Sequence, residues 1–189
     1  MTRTKDVIIP SMIKLGAAEL RTTKPSKEDI RKVKKNPIYI ILDNVLDTYN
    51  VGAIFRLADA VAAEKVILCG QTEIPPDSRI KKASINTTEW VSWEHCESAK
   101  KAIDDLRFKI KDLRIVAIEQ GEKSVPYDKA DYQFPLALIV GNETNGVSQD
   151  ALKMVDQIVE IPMWGVNKSL NVMVSLGIVL YEVMKQAIP

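Results

Sequence analysis

Histidine and cysteine are nearly absent from this chain: 189 residues hold one of the first, His95, and two of the second, Cys69 and Cys96. One imidazole leaves no histidine cluster for a metal ion. Its neighbours, Trp93-Glu94-His95-Cys96-Glu97, read as a polar surface run rather than as part of a catalytic triad. The cysteines show neither paired nor metal-binding spacing and read as reduced thiols of a cytosolic protein. No apolar run approaches the roughly 20 residues that span a bilayer, and the amino terminus has no hydrophobic signal segment. The protein is therefore expected to be soluble, cytoplasmic and without a membrane partner. Neither the GxxxxGKS/T spacing of a phosphate-binding loop nor the GxGxxG of a dinucleotide fold occurs.

Strong net charge is missing too. The formal value is +1, which does not announce a nucleic-acid binder. The distribution says more. Between Met1 and Pro37 stand Arg3, Lys5, Lys14, Arg21, Lys24, Lys27, Arg31, Lys32, Lys34 and Lys35, opposed only by Asp6, Glu19, Glu28 and Asp29. Such a bias suits phosphate contacts, and it is equally compatible with a plain solvated face. Residues 1–37 have too few apolar side chains for a core and read as a basic, partly helical arm. Ser26 is placed to cap a helix with Glu28 and Asp29 in its first turn, and Asn36-Pro37 to end it.

The remainder, 38–189, reads as one domain. Hydrophobic residues are 46% and charged residues 27% of the chain, enough for a core without disulfide or metal staples. Apolar, β-branched runs at 38–42, 66–69, 114–118, 136–140 and 158–161 predict five strands. Helical patterns lie between them, at about 51–63, at 98–108 and from Gln149. This alternation predicts an α/β fold, a parallel sheet flanked by helices. Residues 71–90 read as one long connection carrying Pro75-Pro76 and a basic cluster, Arg79, Lys81 and Lys82. Long loops in compact domains are often functional.

Three polar loops follow buried strands, the usual place for a site in an open parallel sheet. The first, 43–50, leads into a helix carrying Arg56 four positions after Gly52. The second begins at Gly141, where the missing side chain would let a ligand approach the backbone. The third contains Gly165 and Asn167 and ends at Ser169, placed to cap the last helix. In that helix, running to about Gln186, Leu170, Val174, Gly177, Ile178 and Tyr181 recur as one apolar face, and other faces are apolar as well, consistent with a partner. The free amides at its start would suit an anionic or polar ligand. On spacing alone this is strand, loop and capped helix, and Arg56 is compatible with a solvated helix arginine.

The stretch IPMWGVNKSLNVMVSLGIVLYE resembles the third motif of the SpoU-type (SPOUT superfamily) RNA ribose methyltransferases. Two further motifs stand upstream in the family's order. DNVLDTYNVGAIFRLADA resembles the first, N-x-G-x-I-x-R, with Asn50 and Arg56 at its two ends. LIVGNETNGV, at 138–147, resembles the second, G-N-E-x-x-G with an aliphatic residue after it. Three ordered motifs make a specific signal, and the resemblance covers about 38–185. The chain departs at Thr48, where the family commonly has proline, which touches loop stiffness. It departs at Met173 and Leu176, where small residues are common, which touches packing.

The resemblance implies a trefoil knot at about 138–186 and a homodimer with the site at or near the subunit interface. It implies methyl transfer from S-adenosylmethionine to a ribose 2′-hydroxyl of RNA, with S-adenosylhomocysteine as product and no metal. Catalytic roles fall on Asn50, Arg56, Glu143, Ser169 and Asn171, with Glu143 positioning Arg56 or the third-motif residues. Gly141, Asn142, Glu119, Ile161, Met163, Ser169, Leu170 and Asn171 are implied to hold the cofactor. RNA would meet Arg56 and, on the arm, Arg21, Arg31, Lys32, Lys34 and Lys35. A guanidinium stays protonated, so Arg56 is expected to orient the hydroxyl and stabilise developing alkoxide rather than act as base. Ile118-Glu119-Gln120, Tyr132, Phe134-Pro135, Trp90 and Ser84-Ile85-Asn86 look nearer to the tRNA-acting branch, which methylates a D-loop guanosine, than to the ribosomal-RNA enzymes. The basic arm would then serve in place of that branch's separate RNA-binding domain. A ribosomal-RNA substrate, an RNA-binding module without catalysis, and an unrelated nucleotide-binding enzyme are the alternatives.

Overall fold

The computed structural model describes residues 14–187, so Arg3 and Lys5 of the basic arm lie outside the described residues. In chain order come α1 (Ala17–Leu20), α2 (Lys27–Lys32), β1 (Asn36–Asp43), α3 (Thr48–Ala60), β2 (Ala63–Cys69) and α4 (Ser78–Ser84). After a 3₁₀ turn at Thr87–Glu89 follow β3 (Trp93–Cys96), α5 (Ala99–Lys109), β4 (Arg114–Ile118), β5 (Val125–Pro126) and β6 (Leu136–Gly141). The chain ends through α6 (Gln149–Leu152), β7 (Gln157–Glu160) and α7 (Val172–Ala187).

The strands form one seven-stranded sheet in the order β3-β2-β1-β6-β4-β7-β5, every pairing parallel. Side chains alternate across a strand, and here both faces are covered. Ile38, Ile40 and Leu42 of β1 point into one core with Leu138 of β6 and with Leu176 and Leu180 of α7. Ile41, Ile67 and Ile139 point into the other, against Ala102, Ile103 and Leu106 of α5. This two-sided burial is why the central strands read as unbroken apolar runs.

Five of the seven strands were predicted. The missed pair are edge strands: β3 is short and polar, and β5 has two residues. Within β3, His95 is exposed as expected. The β2–β3 register also sets Cys69 opposite Cys96, both free, which no spacing in the sequence reveals. Burial pushes the Cys69 thiol well up from its ordinary value.

Helix boundaries shift where caps decide them. Ser26 caps α2 as predicted, accepting from the Asp29 amide at 3.1 Å, and Ser98 caps α5. The expected structureless connection at 71–90 instead contains α4, because Asp77 accepts from the amides of Arg79 and Ile80 at 2.8 and 2.9 Å. Helix α3 starts at Thr48 rather than near Val51, capped by Asp47, whose carboxylate accepts from the Tyr49 amide at 2.8 Å. Asn50 therefore belongs to the helix, not to the loop. Gly52 permits α3 and α4 to touch: a Cβ there would collide with Ala83 and with the backbone at Ile80 and Ser84.

Thr48 is the first residue of α3, a position that favours proline. Asp47 before it is extended (φ −74°, ψ 112°), the conformation a following proline demands. Thr48→Pro is thus expected to stabilise the protein by about 0.4–1 kcal/mol by restricting the unfolded chain. A urea midpoint lower than wild type would contradict it.

Ser169 does not cap α7. That helix begins at Val172, and Asn171 caps it, accepting from the amides of Met173 and Val174 at 3.0 and 3.4 Å. Residues 168–170 stay outside the helix, and the Gln120 carboxamide donates to the Lys168 carbonyl at 2.7 Å. The core face of α7 is Leu176, Val179, Leu180 and Val183. Of the face marked out by the sequence, Leu170, Val174 and Tyr181 are open to solvent. Leu176 and Met173, two departures from the family pattern, both pack in the core.

Candidate active site

Parallel strands put all their carboxyl ends on one edge of the sheet. The chain runs outward from β1 through β2 to β3, then crosses to β4 on the other side of β1, and β6 later fills the place between them, making a switch point where loops diverge. The loops after β4, β6 and β7 meet there and enclose a cleft of about 620 Å³, a size suited to a cofactor. Glu119, Gly141, Asn142, Ile161, Met163, Ser169, Leu170 and Asn171, the eight residues implied to hold a cofactor, all line it, as does Glu143. Gln120, Glu160 and Lys168 line it too and were not among the candidates. Gln120 stood out in the sequence only beside Glu119, Lys168 only as part of the third motif, and Glu160 only by its position at a strand end.

The three motifs are tied together by side chains. The Asn171 carboxamide donates to Asn50 Oδ1 at 2.9 Å, and Asn50 Nδ2 donates to Glu143 Oε1 at 3.0 Å. Glu143 also accepts from the amides of Leu46 and Asp47 at 3.2 and 3.1 Å. Asn171 uses its oxygen as the α7 cap and its nitrogen as the link, so one residue sets both the helix start and the relay. Of the two links expected of Glu143, to Arg56 or to the third motif, no hydrogen bond runs to Arg56, whereas Asn50 connects Glu143 to Asn171 of the third motif.

Glu143 is exposed as a residue, but its carboxylate folds back onto these donors. Burial opposes its charge, while the hydrogen bonds from Asn50 and from the backbone amides of Glu143, Leu46 and Asp47 together hold the carboxyl below its usual range. A carboxyl lowered by folding adds stability that is complete above its unfolded value of about 4.3 and lost as pH falls through the folded value. The stability gap between wild type and Glu143→Gln is thus expected to be largest at neutral pH and to shrink below about pH 4.5. Urea midpoints at pH 7 and pH 3.5 check this; a gap that stays constant contradicts it.

The second motif's loop closes on itself. Asn142 and Gly146 exchange backbone hydrogen bonds at 3.0 and 2.8 Å. The Asn142 carboxamide accepts from Thr144 and Asn145, both at 2.9 Å, and donates to the Asn44 carbonyl at 2.9 Å. Its polar atoms therefore shape the loop that borders the cleft. Gly146 sits at φ +69° against the Glu119 carboxylate, which accepts from the Val147 and Gln120 amides at 2.8 and 2.9 Å. Gly141 is glycine because a Cβ would run into the backbone of Gly146 and Val147. The close approach that the sequence suggested is real, but the approaching group is the chain's own loop.

Charge selects the ligand class. Three carboxylates, Glu119, Glu143 and Glu160, line the cleft against one ammonium, Lys168. The first-turn amides of Met173 and Val174 are satisfied by Asn171. Of the anionic or polar ligand expected at this helix start, the polar alternative stands: the cleft suits a ligand with positive charge and polar edges, not a polyphosphate.

Arg56 and Asn50 are not cleft-lining residues. Asn50 is buried behind the cleft, whereas Arg56 is exposed on α3, about 9 Å farther along the helix axis. Tyr49, Ala53, Arg56 and Ala60 share its outer stripe, between α7 on one side and α4 on the other. Of the basic arm, Arg21, Arg31, Lys32 and Lys34 are exposed, and Lys32 is paired with Glu28 at 2.7 Å. Lys34 and Lys35 directly precede β1 and so lie at the amino edge of the sheet, some 25 Å of strand away from the cleft.

The family model described as SpoU rRNA Methylase family matches residues 37–181. The tRNA (guanosine(18)-2'-O)-methyltransferase of Aquifex aeolicus is 34% identical over 164 residues, 84% of this chain and 74% of that protein. The 23S rRNA (guanosine-2'-O-)-methyltransferase of Haemophilus influenzae is 31% identical over 159 residues, 84% of this chain and 64% of that one. The crystal structure of the SpoU methyltransferase AviRb from Streptomyces viridochromogenes in complex with the cofactor AdoMet aligns with a TM-score of 0.75 at 25% identity. That alignment covers 86% of this chain and 65% of that one.

Proposed function

The chain belongs to the SpoU methylase family, and from that membership we propose that it methylates a ribose 2′-hydroxyl of RNA, using S-adenosylmethionine and releasing S-adenosylhomocysteine. The observation that carries the reading is a net-acidic cleft lined by the second and third motifs, to which the Asn171–Asn50–Glu143 relay ties the first. The cofactor's net positive charge and polar edges fit that lining. Bound there, it supplies an electrophilic methyl group on its sulfonium. The chain's part is to hold groups in line and to meet the charge that develops as the hydroxyl proton leaves. Arg56 cannot take that proton; it stabilises the alkoxide, and water or a phosphate oxygen accepts the proton. Near-full activity of Arg56→Lys with a flat pH–rate profile would count against this role.

Arg56 stands outside the cleft of its own chain, on α3, which packs beside α7; the two helices carry the exposed apolar residues Tyr49, Val174 and Tyr181. A homodimer formed through this face would bring each Arg56 toward the partner's cleft. The trefoil knot of the family falls at about 138–186, where β7 pairs β4 on the side away from β6 and Gln120 grips the Lys168 carbonyl. The substrate we favour is tRNA at a D-loop guanosine, acted on in the cytoplasm; the name of the Aquifex relative supports tRNA and a guanosine 2′-hydroxyl. The 23S rRNA relative supports a ribosomal substrate as the second reading. Among the described residues no helix is long and apolar enough to cross a membrane.

The test is transfer of tritiated methyl from S-adenosylmethionine to bulk tRNA and bulk ribosomal RNA. Label in tRNA supports the proposal. Label only in ribosomal RNA keeps the chemistry and moves the substrate. Binding of S-adenosylhomocysteine without label in either points to a non-catalytic module, and calorimetric binding of ATP in its place would overturn the cofactor.

A further inference from the structure

The basic cluster on α4 takes no part in the cleft, yet it is joined to the amino-terminal arm. Glu89 is shared: Lys24 of the arm pairs with one oxygen and Lys81 of α4 approaches the other at 4.0 Å. One turn away, the Asn86 carboxamide donates to the Leu20 carbonyl at 2.8 Å. These contacts fold the arm onto α4 and bring Arg21 beside it. Arg21, Arg79 and Lys82 are all exposed, and among the described residues none of the three has an ion-pair partner. Like charges gathered by ordered contacts repel one another; a polyanion relieves that repulsion and releases its own counterions.

The cluster also has a direction. Helix α4 packs on α3 at Gly52, and Arg56 follows one helical turn later, about 6 Å along the axis. The cationic surface therefore borders Arg56 on the side opposite α7.

We propose that α4 and the docked arm form a phosphate-binding track for the substrate RNA, with Arg21, Arg79 and Lys82 as its contacts, guiding the strand to Arg56. The track rests on the RNA-methylation reading and assigns the arm a fixed position within it. Contacts of this kind confer affinity and register, not base choice.

The test uses the full chain and its Arg79→Ala/Lys82→Ala variant with fluorescein-labelled bulk tRNA. Binding is read by anisotropy across a salt series, beside methyl-transfer kinetics. Two lost phosphate contacts should make the slope of log affinity against log salt shallower by about 1.4–1.8. The KM for RNA should rise roughly tenfold, with kcat and S-adenosylhomocysteine affinity unchanged. Asn86→Gly, which removes the arm's clip without touching a charge and keeps the left-handed backbone at φ 65°, should raise that KM as well. A double variant that matches wild type in slope and KM overturns the track while leaving the methylation reading intact. A wild type that transfers no methyl yet loses the same salt slope in the variant overturns methylation and keeps the track.

Discussion

Arg56→Ala is expected to lower kcat for methyl transfer by about 10²–10³, the usual loss when a donor to developing negative charge is removed, and to leave S-adenosylhomocysteine affinity unchanged. The separation follows from placement. Arg56 is exposed on α3 and none of its atoms borders the cleft, so removing it subtracts nothing from the cofactor site. Calorimetry with S-adenosylhomocysteine beside single-turnover methylation distinguishes the two effects. A variant that loses cofactor affinity in step with rate would show that Arg56 braces the cleft instead. Lysine at this position keeps the charge but not the planar fork, so Arg56→Lys should recover only part of the rate.

The second large effect is expected at Gly141. Alanine there places a Cβ on the backbone of Gly146 and Val147. Neither has room to retreat, because Gly146 is paired with Asn142 and the Val147 amide is held by Glu119 at 2.8 Å. The loop must open, at a cost of about 1–3 kcal/mol by analogy with overpacked cores. Since the same loop walls the cleft, cofactor affinity should fall by about 5- to 150-fold, with a parallel drop in the urea midpoint. Wild-type affinity in Gly141→Ala would show that the cleft does not depend on this turn. The two variants also test the subunit arrangement together. Co-expressed Arg56→Ala and Gly141→Ala chains should recover about a quarter of wild-type activity if Arg56 acts across a two-fold dimer, half of the dimers being mixed with one intact site each. No recovery is expected if it acts within its own chain.

Much of this was legible in the sequence because it is local. Buried strands announce themselves by unbroken runs such as 38–42, and β1, β2, β4, β6 and β7 were all found that way. Motif spacing identified two of the three loops that line the cleft, those after β6 and β7. Local pattern failed where a side chain answers to a distant partner. Ser169 stood where a cap belongs, yet Asn171 caps α7, because the chain at Lys168 is held by Gln120, 48 positions away. The face of α7 chosen by periodicity was the open one, since two apolar stripes share that helix and only packing against α3 and the sheet selects between them.

By itself, then, the sequence determined the α/β class, five central strands, three polar loops at their ends and the residues on those loops. The tertiary structure decided what these residues are to one another. Strand order gathers the loops on one edge, and a link 121 positions long joins Asn171 to Asn50. Glu119, just past β4, and Glu160, at the end of the neighbouring β7, make the cleft acidic, and Glu89 and Asn86 fasten the basic arm to α4. The reason is physical: periodicity records which side of an element is buried, whereas pairing between elements is set by the free energy of the assembled core.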